Sequence, residues 1–147
     1  MSYATNADVQ QRMGSVAYVQ LTDDAGTGAA DEAKVTEARS AAESEVNSYL
    51  GRRYAVPINV TAHAELQSLL RSVTLDLVEY RLHSRRPPVP ADVAVKRTAG
   101  IDWLQQVAAG KAVLPSLTEL AGGTSEGVVA EVSGSSRVWS REEAEGL

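Results

Sequence analysis

The sequence contains no cysteine and no phenylalanine. Without cysteine there is no disulfide scaffold, no thiolate zinc site and no sulfur nucleophile. Histidine is scarce too, with only His63 and His83, twenty residues apart on one predicted helix. An α-helix rises 1.5 Å per residue, so roughly 30 Å separates them. They cannot share a metal or an active site within one copy, and surface or capping roles are expected. No stretch approaches the roughly eighteen apolar residues that a membrane-spanning helix needs. The opening, MSYATNADVQ, carries neither the basic nor the apolar region of a secretory signal. Catalytic signatures are missing as well: there is no GxSxG, no HExxH and no P-loop. The glycines of "AGTGA" have neither the preceding strand nor the spacing of a dinucleotide fold. An enzyme is therefore not expected, and no cofactor is assigned.

What is present suits a helical core. The chain has 147 residues, 44% of them hydrophobic, which is enough for one domain with a real interior. Alanine is abundant, and small aliphatic side chains favour close helix packing, so a mainly α fold is expected. The pattern predicts a small bundle of about four helices around a long central one. The first starts near Asn6, capped by Thr5 or Asn6, and ends at Gly14. Val16, Tyr18, Val19 and Leu21 follow as a compact apolar patch. Asp31 is the expected N-cap of the second helix, whose apolar face is Val35, Ala38, Ala42, Val46 and Tyr49. Gly51 is expected to end it in the left-handed conformation. The third helix is expected to be capped by Thr61. It carries one stripe of Leu66, Leu69, Leu70, Val73, Leu77 and Tyr80, and a second of Leu75, Val78 and Leu82. Two apolar sides mark a central helix. Pro87-Pro88 must end it. The fourth follows Pro90, carries Val93, Gly100, Leu104 and Val107, and stops at Gly110. Gly100 is read as a place where another helix approaches closely.

Charge is unevenly distributed. The net charge is −5, but residues 1–50 sum to −5, residues 51–100 to +4 and residues 101–147 to −4. One reading is three solvated surfaces. The other is head-to-tail association, with one copy's acidic face against the next copy's basic face, closing into a ring. The basic middle contains Arg71, Arg81, Arg85, Arg86, Lys96 and Arg97. Such a cluster can meet phosphate, but no interleaved aromatics support single-strand stacking. Pairing with the acidic flanks, between copies or within one, is the preferred reading.

The stretch LTDDAGTGAADEAKV, Leu21 to Val35, has the outline of a calcium loop. Counted from Asp23, Gly28 falls at position 6 and Asp31 at position 9 of such a loop. Positions 3, 5 and 12 are Ala25, Thr27 and Lys34, however. Two carboxylates, Asp23 and Asp31, are too few for a hard cation, and no metal is expected.

After Pro115 the chain turns polar and rich in Gly and Ser, so the expected division is a helical domain, 1–115, and an extended arm, 116–147. Val128, Val129 and Val132 suit a short strand. Trp139 gives the arm an aromatic anchor. It either docks on a partner or folds back on its own domain. Arg137, Val138, Trp139, Ser140 and Arg141 are the candidate partner-binding residues.

Several stretches together resemble the head–tail connector, or neck adaptor, family of Mu-like tailed bacteriophages. MSYATNADV resembles that family's opening helix, and Leu21 to Val35 is similar to its loop, which is more acidic in many members. ARSAAESEVNSYLGRRYAVP, Ala38 to Pro57, is the most specific likeness. WLQQVAAGK and the ending SRVWSREEAEGL extend it over nearly the whole chain. The resemblance implies a structural virion protein at the head–tail junction, made in the host cytoplasm. It implies a homo-oligomeric ring, dodecameric, below the portal protein, docking a head-closure or tail protein. Packaged DNA would pass through its lumen without sequence-specific binding, and no membrane is involved. A head-closure or tail-completion role is the nearest alternative, and a small helical DNA-binding regulator a more distant one.

Overall fold

The computed structural model describes residues 2–121. Five helices run in order: α1 (Asn6–Met13), α2 (Ser15–Thr22), α3 (Glu32–Leu50), α4 (Ala64–Ser84) and α5 (Ala91–Ala108). There is no strand among the described residues. The strand expected at Val128, Val129 and Val132 lies outside them.

Helix α1 begins with a capping box that sequence reading reaches only in part. The Thr5 hydroxyl accepts from the Asp8 amide, and the Asp8 carboxylate accepts from the Thr5 amide at 2.8 Å. Both satisfy amide groups that the first helical turn leaves without partners. Gly14, at φ +81°, then redirects the chain. The apolar patch after it is a second short helix, α2, burying Tyr18, Leu21 and Thr22. Its eight residues, SVAYVQLT, are mostly apolar or small. They show no periodic contrast from which a helix could be read.

Asp31 caps α3 as expected, accepting from the Ala33 and Lys34 amides at 3.0 and 3.4 Å. Gly51 corrects the expectation at the other end: its φ and ψ are −62° and −11°, right-handed. The turn is continued by the Arg53 and Tyr54 amides, both donating to the Leu50 carbonyl. Glycine suits the site by bulk, since a Cβ would sit 3.0 Å from the Asn47 carbonyl oxygen. Thr61 is not the cap of α4. Asn59 holds that turn instead, accepting from the Thr61 and Ala62 amides at 3.1 and 3.2 Å. The helix itself starts at Ala64.

Helix α4 is central. Leu66, Leu70, Val73, Leu75, Leu77, Val78 and Leu82 are buried, packed between α3 on one side and α5 on the other, with α1 and α2 across its length. Both expected stripes are thus used, except that Leu69 is partly exposed. Leu104 and Val107 of α5 and Val35, Ala42, Val46 and Leu50 of α3 join α4 in one buried cluster, and Val93 of α5 is buried outside that cluster. Pro87-Pro88 and Pro90 delimit the turn into α5.

The residues after α5 return over the end of α3. Leu114 is fully buried, and its amide donates to the Tyr54 hydroxyl at 3.1 Å. The Leu120 amide donates to the Arg53 carbonyl at 2.7 Å. Arg53, almost wholly buried, pairs with Glu119. The first residues of the arm thus lie against the helical domain.

Two glycines give opposite predictions. Gly110 has φ +76°, and a Cβ there would lie 1.6 Å from the Arg53 guanidinium. Gly110→Ala is expected to cost about 2 kcal/mol, combining left-handed strain with displacement of Arg53. Gly100 is buried, but a Cβ would meet only Val73 Cγ1, at 3.6 Å, an ordinary contact. Helix α5 therefore does not need glycine for its approach to α4. Gly100→Ala is expected to stabilise by about 0.5–1 kcal/mol through helix propensity. Urea denaturation of both variants measures this, and equal effects of the same sign would refute it.

Candidate functional site

The charged residues singled out in the sequence come together as two knots on one side of the bundle. The first lies at the loop between α2 and α3. Asp23 turns inward on the loop itself, accepting from the Thr27 and Gly28 amides at 3.0 and 2.7 Å. Asp24 points the other way and holds three cations: Lys34 at 2.5 Å, Arg85 at 2.5 Å and Arg86 at 3.3 Å. Lys34 also pairs with Asp31 at 3.3 Å and donates to the Thr22 carbonyl at 3.4 Å. Of the two carboxylates in calcium-loop register, Lys34 meets Asp31 alone, since Asp23 is taken up by the loop amides. Lysine at this position supplies the positive charge from within the chain. Arg85 additionally donates to the Leu21 carbonyl at 2.5 Å, and Arg86 to that of Asp23 at 3.0 Å. The loop is thereby tied to the carboxyl end of α4, where cations also complement the helix dipole.

The second knot is centred on Glu45 of α3. Arg81 donates to one of its oxygens at 2.6 Å and Arg97 to the other at 3.4 Å. The Arg97 guanidinium also stacks over the Tyr80 ring, 4.7 Å from its centroid, a favourable cation–π geometry. One carboxylate thereby links α3, α4 and α5.

The other members of the predicted basic cluster stand apart. Arg71 lies 3.8 Å from Asp8 of α1, and Lys96 lies 3.6 Å from Asp92 on its own helix. The six basic residues are therefore not one surface. Each finds an acidic neighbour in its own copy. Their partners Asp8, Asp24 and Glu45 come from the acidic first third of the sequence, while Asp92 lies in the basic middle. Arg137, Val138, Trp139, Ser140 and Arg141 lie outside the described residues. His63 and His83 stand at opposite ends of α4. Among the described residues no group of three acidic or histidine side chains could hold a metal ion. No described helix is long and apolar enough to cross a membrane.

Sequence reading missed the roles of three arginines, two that hold the amino-terminal segment in place and one that holds the chain after α5. Arg12 of α1 pairs with Asp76 of α4, with Glu79 at 3.7 Å. Arg39 donates to the Ala4 carbonyl at 2.7 Å, and Arg53 anchors the start of the arm. None has a local partner at helical spacing that could reveal the role except Arg39, whose i,i+4 neighbour Glu43 lies 3.9 Å away. Buried Tyr18 donates to Glu32 at 2.9 Å, and its phenol is pushed well above the ordinary range by burial and by that carboxylate.

Comparison with known protein families matches residues 3–131 to the family described as Bacteriophage Mu, Gp36. The chain belongs to that family. The match spans all five helices and both charged knots. Membership in the Bacteriophage Mu Gp36 family makes this a protein of a Mu-like phage and points to phage structure or morphogenesis. No curated protein matches the chain.

The Asp24 knot has a defined pH response. Hydrogen bonding to Lys34, then Arg86 and Arg85, holds the Asp24 carboxyl at about 2, against an ordinary 3.8. A carboxyl lowered on folding contributes stability that is fully present above its unfolded value and is lost as pH falls through the folded one. Asp24→Asn is therefore expected to lower the melting temperature at pH 6. The gap from wild type should close as pH falls from about 4 to 2. A gap that stays constant over that range would show that ionisation of Asp24 contributes nothing.

Proposed function

We propose that this chain is a head–tail connector, or neck adaptor, of a Mu-like phage virion. It forms a homo-oligomeric ring, dodecameric as the family resemblance implies, below the portal protein. The ring extends the DNA channel and docks the next neck or tail component, a head-closure or tail protein. The role is structural, without catalysis and without a cofactor. The observation that carries this reading is the family match over residues 3–131, together with a compact helical domain followed by a long polar segment.

The arrangement of charge supports passage of DNA without retention. Duplex DNA is held electrostatically by free lysines and arginines that replace its counterions. Here Arg81, Arg85, Arg86 and Arg97 are engaged by Asp24 and Glu45, and the net charge is −5. A ring of such subunits would offer DNA few free cations. The same pairing bears on assembly. Among the described residues the six cations of the basic cluster are paired inside one copy, so ring closure falls to other surfaces and to the arm. A head-closure or tail-completion role fits less well, because those neck proteins are β-rich whereas the described residues are all helical.

The deciding measurement is the mass of the purified protein, alone and mixed with the portal protein of its phage. A monomer that joins the portal as a ring is the expected result. A protein that stays monomeric and ignores the portal would overturn the connector reading. Trp139→Ala is expected to leave the helical domain folded, with its helical circular dichroism unchanged. It should weaken capture by the portal, and unchanged capture would remove the arm from the docking argument.

A further inference from the structure

The two charged knots flank a groove that the proposed role leaves unused. On α3, Lys34, Ala38, Ala41 and Glu45 form one stripe at spacings of four, three and four. Between this stripe and the end of α4 lies an open cavity of about 280 Å³, lined by Lys34, Glu37, Ala38, Ala41, Arg81 and Arg85. It shares Arg81 with a second of about 320 Å³, lined also by Glu45, Tyr80, Ser84 and Arg97. The two alanines leave the space, and the arginine stems and Tyr80 wall it. Four cations and two carboxylates line the combined groove. Asp24, at one end, must serve Lys34, Arg85 and Arg86 together. With Arg86, Asp24 and Asp31 counted, five cations meet four carboxylates here, which leaves one positive charge over beside the two alanines. A ligand that fits would join an aromatic or apolar anchor to adjacent carboxylates.

The chain itself contains such a segment. Trp139 is followed by Ser-Arg-Glu-Glu-Ala-Glu, with Glu142, Glu143 and Glu145 as its acids. We propose that in the free protein the α3–α4 groove seats the carboxyl-terminal segment of the same chain, with Trp139 over Ala38 and Ala41 and the glutamates against Arg81, Arg85 and Arg97. The reach is sufficient. The described chain leaves at Ala121, beside Arg53, where the Leu120 amide meets the Arg53 carbonyl. Ala41 lies twelve residues before Arg53, about 18 Å away at helical rise. Seventeen residues separate Ala121 from Trp139, and such a length spans about 56 Å when extended. A tethered segment within reach has an effective concentration near the millimolar range, far above that of a second copy in dilute solution. This favours the chain's own groove. The inference concerns one chain in solution and stands or falls separately from the connector reading.

The absence of cysteine makes the test direct. In the full-length protein, the pair Ala41→Cys and Ser140→Cys is oxidised at low protein concentration. A control pairs Ser140→Cys with Ser48→Cys, an exposed α3 position closer to Arg53 than Ala41 is. The expected result is an intrachain disulfide that forms at 41 in clear preference to 48. Its yield should fall roughly fivefold when Glu142, Glu143 and Glu145 are changed together to Gln, the scale of three screened surface pairs. Equal or greater crosslinking at 48 would show mere tethering and overturn the proposal. So would no crosslink at 41, a yield indifferent to the glutamates, or a disulfide appearing only as a concentration-dependent dimer, which would assign the groove to a second copy.

Discussion

Helix α4 has almost no free side along its middle, and the rest of the molecule is organised around that fact. From Val73 to Val78 five of six residues are buried, the exception being Asp76. A helix buried all round needs neighbours on every face. Helices α3 and α5 take the two long faces, and the short α1 and α2 cross what remains. The cost of leaving any face uncovered is large, since each fully buried Leu or Val side chain is worth about 1.5–3 kcal/mol relative to exposure. The position of every other helix follows from covering this one.

The polar groups then fix what apolar packing leaves undetermined. Hydrophobic burial is non-directional, so α3 could slide along α4 with little loss of area. Glu45 sets its position through Arg81 and Arg97, and Asp24 ties the α2–α3 loop to the end of α4. Arg12 places α1 by pairing with Asp76, whose carboxyl is raised by burial despite that partner. These are partly exposed pairs, each of modest energy. Their role is to select one arrangement among several that bury similar area.

The loop from Leu21 to Val35 shows how one outline can serve two ends. Its glycines at 26 and 28 adopt positive φ, and its acid at 31 caps a helix. Those features would shape a calcium site equally well. The side chain of Lys34 puts an ammonium group beside Asp24 and Asp31, and Arg85 and Arg86 add two guanidinium groups from just past the end of α4. The loop is held by cations that are part of the chain.

Helix content, the central place of α4, the Asp31 cap and the breaks at Gly14, the prolines and Gly110 were all legible in the sequence. They rest on local causes, namely periodicity, capping chemistry and the φ demands of proline and glycine. The family was legible as well, through motifs in order along the chain. Helix α2 was not, because its eight residues are too evenly apolar to show a period. Gly51 and Thr61 were misread because the turns around them are closed by Leu50 and Asn59, a choice among equivalent local solutions that tertiary packing makes. The pairing of the basic residues was legible only as an alternation of charge between thirds of the chain. Which acid each arginine meets joins positions as far apart as Asp24 and Arg86. That depends on where α3 and α5 settle against α4, and only the folded structure decides it.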